Sequence, residues 1–123
     1  MNAVGITSWV ENEALIEAVT AVSGSGPAYF FLFIEAMTKS GASMGLDAKT
    51  AQTLAIQTAF GAAKLAQQSD VDIDELRRRV SSPNGTTEKA VASFIDNQLF
   101  ETVDRAMRAC ADRATQLSIE LGK

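Results

Sequence analysis

The 123-residue sequence has no histidine, one cysteine and two prolines, and its acidic residues outnumber its basic ones, 15 to 11. Without histidine there is no imidazole to act as a general base near neutral pH or as a zinc ligand. The single cysteine, Cys110, forms no disulfide within the chain, which fits a reducing compartment. A net charge of −4 leaves no basic field for a phosphate backbone, so nucleic acid is not an expected partner. The longest run of consecutive apolar residues, Ala28–Ile34, falls far short of the ~20 needed to span a bilayer. The opening Met1-Asn2-Ala3-Val4-Gly5 lacks the basic-then-apolar pattern of a signal peptide. The expectation is a cytoplasmic, soluble protein with no membrane partner.

What is present is a globular composition, 46% apolar and 21% charged, at the length of one domain. The β-branched and aromatic opening, Gly5–Val10, predicts one short strand. Everything after it reads as helix: Glu11–Val22, Pro27–Met44, Ala48–Gln68, Ile73–Val80, Thr87–Asn97 and Leu99–Leu121. The fold class is therefore all-α, a helical bundle of about six helices. Start signals agree: Ser25-Gly26-Pro27, Asp47 before Ala48, the capping-box pair Asp72 and Glu75, and Thr86 or Thr87 before Glu88. Gly41 and Gly45 mark the end of the second helix, and Ser69-Asp70 the end of the third.

The last helix carries an apolar stripe, Val103, Met107, Cys110, Ala114, Leu117 and Leu121, spaced by threes and fours. Cys110 on this seam reads as a small buried hydrophobe rather than a reactive thiol. In the second helix, Tyr29 to Ile34 are consecutive and apolar, covering the whole circumference. Such a helix is either central to the bundle or packed on a second subunit, and a homodimer is expected. The third helix carries Ala55, Ala59, Gly61, Ala62, Ala63 and Ala66, which allow close helix approach. Glu11, Glu13, Glu17 and Arg77-Arg78-Arg79 read as solvated faces.

Two loops stand out. Ser23-Gly24-Ser25-Gly26-Pro27 lacks both the third glycine and the preceding strand of a dinucleotide fingerprint. It reads as a tight turn with glycines at positive φ. Ser81-Ser82-Pro83-Asn84-Gly85-Thr86-Thr87 runs into a helix, where free N–H groups, the helix dipole and several hydroxyls suit a carboxylate or phosphate. Taken alone it is equally well a capped turn. Asn84-Gly85 can supply left-handed backbone. No histidine, paired carboxylates or metal cluster completes a catalytic machine within the chain, and no metal is expected.

The segment Ala18 to Tyr29 with its Ser23-Gly24-Ser25-Gly26-Pro27, then Gly61-Ala62-Ala63-Lys64, then Ser82-Pro83-Asn84-Gly85-Thr86-Thr87, resembles the C-terminal dimerisation domain of pyrroline-5-carboxylate reductase. The resemblance runs from about Val10 to the end, and where that family has two glycines this sequence has Asn84-Gly85. It implies a parent oxidoreductase of proline biosynthesis that reduces 1-pyrroline-5-carboxylate to L-proline with NADPH or NADH on a separate Rossmann domain. Residues 1–10 would be the remnant of that domain's last strand, and residues 11–123 the helical dimerisation and substrate-binding domain, inactive and without cofactor alone. The resemblance puts the substrate carboxylate on the Ser82 hydroxyl and the N–H groups of Gly85 and Thr86. It puts the Thr87 hydroxyl, the catalytic group, on the ring nitrogen, and it assigns no cofactor-binding residue. Partners would be the small-molecule substrate and a second subunit, or an assembly of dimers. The rival reading is a free-standing helical interaction module without catalysis.

Overall fold

The computed structural model describes residues 13–122, and the strand expected at Gly5–Val10 lies outside them. Among the described residues the order is α1 (Glu13–Val19), a π-helical turn (Thr20–Gly24), α2 (Gly26–Ser43), α3 (Ala48–Gln68), α4 (Ile73–Arg79), α5 (Thr86–Asp96) and α6 (Leu99–Leu121). The all-α class holds, and α3 and α6 begin and end where caps and periodicity placed them.

The Ser23–Pro27 turn is corrected. It is no tight turn: the helix runs on through one π-helical turn, closed by the Ser25 N–H on the Thr20 carbonyl at 2.9 Å. Neither Gly24 nor Gly26 takes a positive φ. The cause is Pro27, which has no N–H to return to the Ser23 carbonyl four residues back and whose ring crowds it. The Thr20 and Ser23 hydroxyls bond back to the Ile16 and Val19 carbonyls, both at 3.1 Å, which also loosens the ladder here. Continuity has a second consequence. Leu15–Ser43 is a 29-residue helix containing an 18-residue stretch of mean hydropathy 1.2, long and apolar enough to cross a membrane by length and composition. Counting consecutive apolar residues missed it, because its glycines and serines interrupt the run without ending the helix.

The backbone packs as two compact units. Among the described residues the first comprises those up to Phe31 together with those from Leu99 onward. Its ties are polar as well as apolar. Thr115 donates to Glu17 Oε1 at 2.6 Å, Cys110 Sγ donates to Ser25 Oγ at 3.2 Å, and the Tyr29 hydroxyl donates to the Ala21 carbonyl at 2.7 Å. Cys110 is thus half-exposed and hydrogen-bonded rather than a buried hydrophobe, and Glu17 is not purely a solvated charge. Partial burial first, and then the neighbouring Cys110 thiol, raise the Tyr29 pKa above the ordinary phenol value.

A raised phenol pKa means that the folded state favours the protonated form. Its contribution is whole below the ordinary value of about 10 and is lost as pH rises through the higher folded value. Tyr29→Phe is therefore expected to cost about 1 kcal/mol near neutral pH, through the lost bond to Ala21. The difference should shrink in strong alkali, where the wild type alone loses the Tyr29 contribution. Urea melts at the two pH values check this, and a gap that is constant with pH would contradict it.

The second unit is Leu32–Gln98. Here α2 ends in a Schellman motif, with the Leu46 N–H on the Gly41 carbonyl at 3.1 Å, the Gly45 N–H on the Ala42 carbonyl at 3.0 Å and Gly45 at φ 114°. The Asp47 carboxylate caps α3 by accepting from the Thr50 N–H at 3.2 Å. A Cβ on Gly41 would stand 3.3 Å from the Ala51 Cβ, and Ala51 and Ala55 are each 4% exposed. The close approach on α3 is therefore at Ala51 and Ala55, while Gly61 has open space around it and Ala62 and Ala63 are exposed. Phe33 and Phe94 add a tilted ring pair at 5.8 Å. The capping box expected for Asp72 and Glu75 does not form: Glu75 pairs with Arg78 and Arg79 at 3.2 and 3.3 Å. Two like-spaced guanidiniums on the same face outcompete one backbone N–H.

Among the described apolar side chains only Ala21, Ala51 and Ala55 are buried, so the described residues form no core of large side chains. Phe30, Phe31 and Leu32 on α2 are 67, 68 and 67% exposed.

Candidate functional site

The Ser81–Thr87 loop is shaped by three hydrogen bonds. The Ser81 hydroxyl donates to the Arg77 carbonyl at 2.6 Å, ending α4. The Gly85 N–H donates to the Ser82 carbonyl at 3.0 Å, closing a four-residue turn with Pro83 second and Asn84 third. Proline fixes a negative φ at the second position and Asn84 has φ 60° at the third, the pattern of a type II turn. Third, the Asn84 N–H donates to Glu88 Oε1 at 2.6 Å. Gly85 is then extended, at φ −89° and ψ 179°, and serves as the N-cap of α5 without a side-chain cap.

With Gly85 at the cap, the N–H groups of Thr86, Thr87 and Glu88 lie in the first turn, where a helix has no acceptor for them. The hydroxyls of Ser82, Thr86 and Thr87 make no hydrogen bond with the described residues, so each is free to meet a ligand. A Cβ on Gly85 would stand 3.1 Å from the Ser82 carbonyl and 3.2 Å from its hydroxyl. Glycine is what lets Ser82 lie against the start of the helix.

An open depression of about 800 Å³ adjoins this turn, lined by Asn84, Gly85, Thr86, Glu88, Lys89 and Ala92. Of the four residues singled out from the sequence, Gly85 and Thr86 line it; Ser82 and Thr87 lie beside it, outside its lining. The Gly85 N–H, assigned to a carboxylate by the resemblance, is already held by Ser82. Glu88 and Lys89 were not read as site residues. The signal for Glu88 was its place three residues after the cap, where a carboxylate reaches back to loop N–H groups. Lys89 lines the same depression.

The family model for pyrroline-5-carboxylate reductase dimerisation matches residues 13–117. The chain belongs to that family. Its pyrroline-5-carboxylate reductase relative in Pseudomonas aeruginosa is 53% identical over 123 residues, all of this chain and 45% of that protein. The one in Pasteurella multocida is 46% identical over 118 residues, 95% of this chain and 43% of that protein. Among solved structures, the reductase of Coxiella burnetii superposes with a TM-score of 0.88 at 41% identity, over 93% of this chain and 42% of that one. The Plasmodium falciparum enzyme, solved with NADP bound, gives 0.83 at 31% identity, over 89% and 41%. The chain thus spans less than half the length of the curated relatives it matches. Within this pyrroline-5-carboxylate reductase dimerisation domain, the Ser25 N–H is held inside the helix and its hydroxyl accepts from Cys110.

Proposed function

We propose that this chain is the dimerisation and substrate-binding part of a cytoplasmic pyrroline-5-carboxylate reductase that reduces 1-pyrroline-5-carboxylate to L-proline with NADPH or NADH. The observation that carries the reading is the Ser82–Thr87 turn, in which two free N–H groups and three free hydroxyls crowd one helix start. Its parts suit a small anion with a polar ring atom. The Ser82 hydroxyl and the Thr86 N–H hold the carboxylate, assisted by the α5 dipole and the Lys89 ammonium. The Thr87 hydroxyl, one residue on, holds the ring nitrogen. Gly85 contributes the missing side chain that allows this approach, while its N–H keeps the turn closed. A bound nicotinamide supplies the hydride. This chain's residues orient the iminium carbon toward it, and orientation is what such a transfer chiefly needs.

The exposed apolar face of α2 supports pairing with a second copy, in line with the family's dimerisation character, and gives the Leu15–Ser43 helix a protein partner instead of lipid. The complete protein that carries this chain is expected to oxidise NAD(P)H only when 1-pyrroline-5-carboxylate is supplied, followed by the loss of nicotinamide absorbance. Folded, cofactor-binding protein that leaves the absorbance unchanged would sink the reading and favour a non-catalytic interaction module.

A further inference from the structure

We propose that Glu88 is a positioning residue for substrate: its carboxylate selects the type II form of the Ser82–Gly85 turn and so aims Ser82 and the start of α5. The inference rests on the reading of this loop as the carboxylate site. Type I and type II turns differ by turning over the central peptide, here the one between Pro83 and Asn84. The N–H of that peptide is the one Glu88 holds, at 2.6 Å. If the peptide flipped, the Pro83 carbonyl would face the carboxylate instead, and two acceptors would repel.

Asn84 needs this help. Its φ of 60° lies in the left-handed region, which asparagine tolerates better than other non-glycine residues but enters less freely than glycine. Among the described residues Glu88 makes no ion pair. Lys89, adjacent on the helix, points about 100° away. The carboxylate is therefore uncommitted except to Asn84. An ordinary capping box returns to the N-cap N–H. Here that group, on Gly85, is taken by Ser82, and the carboxylate reaches one residue further back.

The test uses the complete enzyme and four variants: Glu88→Asp, Glu88→Gln, Asn84→Gly and the double Glu88→Asp/Asn84→Gly. Asp keeps the charge that favours the helix start but loses the reach, whereas Gln keeps the reach. Glu88→Asp is expected to raise KM for 1-pyrroline-5-carboxylate roughly fivefold, with kcat and melting temperature near wild type. Glu88→Gln should raise KM less than Glu88→Asp does, because its amide oxygen still reaches the Asn84 N–H while its NH2 also satisfies a flipped Pro83 carbonyl. Glycine adopts positive φ freely, so Asn84→Gly should restore KM in the double variant. An unchanged KM in Glu88→Asp, or no rescue by Asn84→Gly, overturns the proposal. Thr87→Val serves as the control: if it lowers kcat/KM while Glu88→Asp does nothing, only the role of Glu88 fails. If neither moves kcat/KM, the loop is not the substrate site and both readings fall.

Discussion

Sedimentation of the purified chain at micromolar concentration is expected to show a dimer, and the double variant Phe30→Glu/Phe31→Glu to show a monomer with unchanged helicity. Both rings are about two-thirds exposed, so neither supports the fold of a single copy and their replacement leaves its helices intact. In a two-fold interface each side chain counts twice. Burying one phenylalanine is worth roughly 1.5–3 kcal/mol, so losing it from both copies costs about 3–6 kcal/mol, at least 100-fold in Kd. The introduced carboxylates add desolvation and like-charge repulsion. A wild-type chain that is monomeric at these concentrations would remove the dimer. Dependence on detergent for solubility would instead assign the Leu15–Ser43 helix to lipid.

Replacing Thr87 by valine in the complete enzyme is expected to lower kcat/KM for 1-pyrroline-5-carboxylate by about 2- to 13-fold, more if the lost bond is charge-assisted. Valine preserves the shape and deletes only the hydroxyl. That hydroxyl has no hydrogen-bond partner among the described residues, and the α5 cap is Gly85, so the helix start does not depend on Thr87. The melting temperature should accordingly move little. A variant that melts earlier yet turns over normally would reduce Thr87 to a structural role. Ser82→Ala tests the proposed carboxylate contact, with KM expected to rise and kcat to stay nearly constant.

Most helices and the family were legible in the sequence, the helices because their boundaries rest on local chemistry, whereas the Ser23–Pro27 loop was not. The Asp47 cap and the Gly41 and Gly45 stop are decided within a turn or two of chain, whereas the apolar stripe of α6 leaves Val103, Leu117 and Leu121 exposed. The Pro83-Asn84-Gly85 turn is also decided locally, where proline fixes one φ and asparagine tolerates the next. Sequence alone left open how the polar groups would choose among partners. It placed Cys110 in an apolar seam by periodicity, but only the packed fold brings Ser25 to its thiol, 85 residues away. It paired Asp72 with Glu75 by spacing, yet Arg78 and Arg79 on the next turn take that carboxylate. It offered the Gly85 N–H to a ligand, and the closed turn gives that N–H to Ser82. Spacing defines which groups can meet, whereas hydrogen-bond competition decides which do, and that competition is settled only when all the acceptors stand in place. The exposed phenylalanines of α2 follow the same division: composition made the helix apolar on every side, and only the tertiary structure showed that the described residues of one copy leave that surface uncovered.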